Sequence, residues 1–172
     1  MPTENGVYGV DGAYLSAEGY PQGWSLIDGT YYYKEGENFV FNQAKKINGD
    51  WYLFDVHGRM VTGFSTSDFD IRGWKNYHYD DGNFYYGADG RRCNYVGWQV
   101  IDGNWYYFKN MSLVKNAFVK KGKKYGYVDA TGKFTTGWVV VDNSQNLVRY
   151  INPDKKGFVQ NESKWIDGKL YY

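Results

Sequence analysis

Between Asp68 and Asp81 the chain concentrates the side chains best suited to holding a ligand: Asp68, Asp70, Arg72, Trp74, Lys75, Asn76, Tyr77, His78, Tyr79, Asp80 and Asp81. Flat aromatic plates stack on the apolar C–H face of a sugar ring, while carboxylate, amide and guanidinium groups at the edge take up its hydroxyls. Trp74 and Tyr77 therefore stand as stacking plates, with Asp70, Arg72 and Asn76 reading hydroxyls. Paired carboxylates could also act as acid and base on a glycosidic bond. Two features argue against that use. Asp80-Asp81-Gly82 is a turn sequence, where Asp serves the backbone, and short hairpins offer no deep, dry cleft to raise the pKa of a carboxylic acid. The spacing of Asp68, Asp70 and Asp80 matches no calcium-binding loop, and His57, His78 and Cys93 are too scattered for zinc. No phosphate-cradling loop and no nucleophile motif occurs. The expectation is a binding surface without catalysis, metal or cofactor.

What positions such a surface is a repeat. Ile27-Asp28-Gly29-Thr30-Tyr31-Tyr32-Tyr33 returns as Ile101-Asp102-Gly103-Asn104-Trp105-Tyr106-Tyr107, and again in Ile166-Asp167-Gly168-Lys169-Leu170-Tyr171-Tyr172. Residues 23–64 superpose on 97–138 without a gap at an offset of 74 (101 minus 27), with 14 identities in 42 pairs. Aromatic and β-branched runs punctuated by Asp-Gly and Asn-Gly predict β-hairpins, and no segment sustains a helical apolar period. Hairpins are expected near Ile27, Asn48 and Trp74, then near Ile101, Lys121 and Leu147, with another at Lys169. One offset holds three of them. The predicted fold is therefore all-β, a hairpin-repeat solenoid with about three hairpins per turn. Residues 1–22 hold a worn copy of the unit around Val10–Leu15, expected to cap a single array over 23–172. Within that array, Trp74 and Tyr77 are not repeated one turn later, where Val148 and Ile151 stand instead. A ring needed only to glue the stack should reappear, so the unrepeated rings are the better functional candidates.

Composition narrows the function classes. The chain of 172 residues holds 19 Tyr, 10 Phe and 7 Trp, enough flat rings to fill the thin layers between stacked hairpins. A net charge of +1 supplies no field to attract nucleic acid. Cys93 is the single cysteine, so no internal disulfide forms. There is no apolar run long enough for a membrane helix and no signal peptide at the start. The chain also stops at Tyr172, midway through a repeat, so it reads as an excised piece of a longer protein, with Met1 added.

The units Gly97-Trp98, Gly103-Asn104-Trp105-Tyr106-Tyr107-Phe108 and Gly58-Arg59-Met60-Val61-Thr62-Gly63-Phe64 resemble the cell-wall-binding repeats of Gram-positive bacteria. That family spans choline-binding repeats, the glucan-binding repeats of glucansucrases and related repeats of clostridial toxins. The resemblance implies a hairpin solenoid that is usually non-catalytic. It would hold a larger secreted protein, with its other modules, against a polysaccharide or cell-wall polymer at the bacterial surface. A choline site of the family is a cage of rings plus a Met. Here Phe64 replaces a Trp, and the Met60 position becomes Phe134 one period later. Trp98 and Trp105 form the second candidate plate, with Met111 as a possible third wall of a residual cage. The glucan-binding branch is the nearer one, so the expected ligand is an α-glucan such as starch, a maltooligosaccharide or dextran. A choline or teichoic-acid anchor and a structural spacer are the rival readings.

Overall fold

A computed structural model describes residues 6–65, 83–122, 124–142, 147–152, 157–158 and 164–171. Among the described residues every strand belongs to a small antiparallel sheet, and there is no helix. The eight hairpins begin with Gly6–Tyr8 against Tyr14–Ser16, then Gly23–Ile27 against Thr30–Glu35 and Gln43–Ile47 against Asp50–Phe54. Gly63–Phe64 against Tyr85–Tyr86 follows. The later four pair Gly97–Ile101 with Asn104–Lys109, Ala117–Lys121 with Lys124–Val128, Gly137–Asp142 with Leu147–Asn152, and Lys164–Ile166 with Lys169–Tyr171. The chain divides into two compact units, Met1–Asn94 and Tyr95–Tyr172.

The turns follow from the sequence. Ile27 pairs with Thr30, Ile47 with Asp50, Ile101 with Asn104 and Ile166 with Lys169, leaving two-residue loops. Their backbones have φ of 48° and 77° at Asp28-Gly29, 50° and 94° at Asn48-Gly49, and 48° and 73° at Asp102-Gly103. Positive φ at both central residues is the type I′ geometry, whose twist matches that of the strands; Asx-Gly tolerates it best. A second turn recurs, once inside the first hairpin and three times after a hairpin's second strand. The N–H groups of Gly9, Asp55, Gly87 and Asp129 each donate to the carbonyl four residues on (Ala13, Arg59, Arg91, Lys133) at 2.7–3.0 Å. In each turn the glycine at the fourth position (Gly12, Gly58, Gly90, Gly132) donates back to the first residue.

Six hairpins place two rings directly opposite each other: Tyr8/Tyr14, Trp24/Tyr33, Phe64/Tyr85, Trp98/Tyr107, Phe118/Tyr127 and Trp138/Tyr150. Their centroids lie 4.9–5.3 Å apart. Cross-strand ring pairs of this kind stabilise a sheet too small to have a core of its own. In the first unit Val7 and Ala17 are buried with Tyr32 and Phe39. Val40, Ile47, Tyr52 and Phe54 form the next layer, with Trp24, Tyr33 and Met60 packed against it. The Lys34 ammonium donates to the carbonyls of Ala17 (2.8 Å) and Tyr20 (3.0 Å), tying the N-terminal segment to the following hairpin.

Candidate ligand-binding site

Strand alternation puts Trp24 and Tyr31 on one face of their hairpin, because Trp24 pairs with Tyr33 and Leu26 with Tyr31. Tyr52 arrives from the next hairpin, its ring 4.9 Å from Trp24 and steeply inclined to it at 64°. Met60 is brought in behind the Asp55–Gly58 turn by a backbone hydrogen bond from its N–H to the Tyr31 carbonyl, 2.8 Å. The Gly87–Gly90 turn closes the far side with Ala88, Asp89 and Arg91. Between them lies an open cavity of about 460 Å³, a size that takes a small ligand. Its walls are aromatic and its rim is charged.

Arg91 is the residue that charges the rim. In the Asp55–Gly58 turn, the carboxylate of Asp55 sits at the first position and captures Arg59, with Nε 2.7 Å and Nη2 2.6 Å from Oδ2. The Gly87–Gly90 turn has glycine at that first position, so no first-position carboxylate captures Arg91. Its Nε instead lies 3.3 Å from the Tyr52 hydroxyl, 3.4 Å from Asp50 and 3.6 Å from Asp89. The Tyr52 hydrogen bond, and then the Asp50 and Asp89 carboxylates, hold the guanidinium even more firmly protonated than usual.

Gly90 sets the depth of the cavity. A Cβ there would overlap Met60 Sδ and stand 2.7 Å from its Cε, and φ at this position is +76°. Gly90→Ala is expected to drive Met60 into the cavity and to destabilise the protein by about 1–3 kcal/mol, as overpacking does. Urea unfolding checks the second effect and a crystal structure of the variant the first. An unchanged midpoint with Met60 unmoved would refute both.

The second unit repeats the ring pairs with different neighbours. Trp98 meets Trp105 at 6.4 Å and Tyr107 at 5.2 Å, matching Trp24 with Tyr31 (6.3 Å) and Tyr33 (5.1 Å) at the offset of 74. The counterpart of Tyr52, however, is Gly126, and the counterpart of Met60 is Phe134. The Phe134 ring lies 5.7 Å from Trp98 and against Gly126, where a Cβ would stand 3.1 Å from its Cδ2. One ring is lost from the hairpin and another is gained from the segment after the turn. A third ring set joins Trp138 to Tyr150 (5.2 Å) and to Tyr171 (4.9 Å, 64°), repeating the Trp24–Tyr52 geometry.

No protein-family model matches the chain. Toxin A of Clostridium novyi is 26% identical over 126 residues, covering 70% of this chain and 6% of that protein. Glucosyltransferase-I of Streptococcus downei is 24% identical over 168 residues, covering 92% of this chain and 10% of that protein. Among solved structures, choline binding protein F from Streptococcus pneumoniae superposes with a TM-score of 0.52 at 23% identity, over 92% of this chain and 52% of that one. The chain shares the fold of choline binding protein F and is similar in sequence to the two relatives. It spans about half of choline binding protein F and a tenth or less of the two sequence relatives.

Within these repeats, Trp98 and Trp105 are brought together, both half-buried, and the Trp98 indole N–H donates to the Lys120 carbonyl at 2.9 Å. Met111 lies in a tight turn with φ of 70°. Asp70, Arg72, Trp74, Asn76 and Tyr77 lie outside the described residues, as do Asp68, His78, Asp80 and Asp81. The cavity at Trp24 was not anticipated as a site. Its signal was present in the repeats: Tyr52/Gly126 and Met60/Phe134 differ between copies just as Trp74 and Tyr77 do, and they differ together.

Proposed function

We propose that the chain is a non-catalytic carbohydrate-binding module that recognises an α-glucan by aromatic stacking, with the Trp24 cavity as a principal site. The observation that carries this reading is the union of ring walls (Trp24, Tyr31, Tyr52) with a charged rim (Asp89 and Arg91, the latter braced by Asp50 at 3.4 Å) around an open cavity. A pyranose needs both: an apolar plate for its C–H face and donors and acceptors for its hydroxyls. Trp74 and Tyr77, with Asp70, Arg72 and Asn76, remain a further proposed site, and Trp98 with Trp105 a third. The hairpins are read as one solenoid with about three to the turn, supported by the ring pairs that return after 74 residues (Trp24/Tyr33 and Trp98/Tyr107). In a longer, secreted Gram-positive protein the module would hold other modules against polysaccharide at the cell surface.

The second reading is a choline or teichoic-acid anchor, favoured by the presence of Met60 among the rings. Affinity electrophoresis through gels containing starch, dextran or no polysaccharide, with choline in a parallel run, separates the two. Retardation by one glucan, weakened by Trp24→Ala or Trp74→Ala, is the expected result. Free migration in every glucan would refute the α-glucan reading, and stabilisation by choline would then support the anchor.

A further inference from the structure

We infer that Arg91 sets the ligand class of the Trp24 cavity, supplying a resident cation to an aromatic cage that would otherwise accept an external organic cation. The inference rests on the reading that this cavity is a ligand site. Trp24, Tyr31 and Tyr52 present three rings with Met60 beside them, and ring faces attract quaternary ammonium groups. The Arg91 side chain lines the same space, anchored through Nε to the Tyr52 hydroxyl and flanked by Asp50 and Asp89 at 3.4 and 3.6 Å. An incoming cation meets this charge at short range and finds both carboxylates already engaged. A neutral sugar meets no such penalty and gains a fork of N–H donors.

The turn sequence is what releases Arg91 for the task. Position five of the four turns of this type holds Ala13, Arg59, Arg91 and Lys133. Arg59 is held by Asp55 at the first position of its own turn, whereas Gly87 leaves Arg91 to reach across to the neighbouring hairpin. Glycine at 87, arginine at 91 and a hydroxylated ring at 52 thus act together. Removing the guanidinium changes the local charge of Asp50, Asp89 and Arg91 from −1 to −2, turning a rim that repels cations at close range into one that attracts them.

The test titrates wild type, Arg91→Gln, Arg91→Lys and Arg91→Gln/Trp24→Ala with choline chloride by tryptophan fluorescence, using sodium chloride at equal ionic strength as the blank. Arg91→Gln is expected to bind choline at least about fivefold more tightly than wild type, the effect of one unit charge at about 4 Å in water. Arg91→Lys should behave as wild type, and the double variant should lose the response. Equal choline affinity in wild type and Arg91→Gln, with circular dichroism showing both folded, would overturn the inference. So would a gain in Arg91→Lys matching that in Arg91→Gln, because charge would then not be the cause. Maltoheptaose added to wild type tests the glucan reading separately: silence there with a choline gain in Arg91→Gln sinks the α-glucan and leaves the role of Arg91 standing.

Discussion

Trp24→Ala is expected to abolish ligand binding at the first-unit cavity and to destabilise the protein by about 3 kcal/mol, the low end for a large-to-small aromatic change because the ring is only half-buried. The indole is the common neighbour of Tyr31, Tyr33, Tyr52 and Phe54, at centroid distances of 4.9–6.3 Å. Removing it takes away the plate a sugar would lie on and opens the layer beneath. Urea unfolding followed by circular dichroism reads the stability, and retardation in glucan gels reads the binding. Trp24→Phe should recover much of the stability but little of the binding, since a smaller ring packs without spanning the cavity. A Trp24→Ala protein that keeps wild-type retardation would move the site away from this cavity.

Phe54→Ala is expected to have the larger cost to stability, about 3–5 kcal/mol. Phe54 is fully buried and lies 5.8 Å from Trp24 and 6.4 Å from Tyr33, in the layer that also holds Val40, Ile47 and Tyr52. Among the described residues this layer is thin, with Trp24, Tyr33 and Met60 packed against it, so it is expected to relax little around a void of that size. Since whole domains are stable by only about 5–15 kcal/mol, the first unit should lose most of its margin. The shift of the urea midpoint measures it; a loss below about 1 kcal/mol would show that the layer refills, and that Phe54 does not hold it.

Local chemistry explains why the hairpins were legible. Asp28-Gly29, Asn48-Gly49 and Asp102-Gly103 state their turn type in two letters, and the rings beside them state which strand positions face each other. The hairpins closed by Asp28-Gly29, Asn48-Gly49, Asp102-Gly103 and Asp167-Gly168 accordingly lie where those turn residues place them. The cavity was harder to foresee because it is assembled from residues as far apart as Trp24 and Arg91, contributed by two hairpins and the turns that follow. Whether Arg91 points at a ligand or at its own turn depends on Gly87, four residues earlier, which no composition or period reports. Trp74 and Tyr77 lie outside the described residues. The same comparison of copies, applied to Tyr52 and Met60 against Gly126 and Phe134, points to the cavity at Trp24.

That exchange separates two properties of the molecule. Tyr52 with Met60 lines a cavity; at Gly126 with Phe134 the ring against the Trp comes from beyond the turn instead, and both hairpins keep the same register, Lys45 opposite Tyr52 and Val119 opposite Gly126. Two positions eight residues apart can thus change the wall beside the Trp while the strand pairing is untouched. In such a chain, lengthening by duplication and gaining or losing sites by substitution are independent events. Selection can set the reach of the protein with one and its valency with the other.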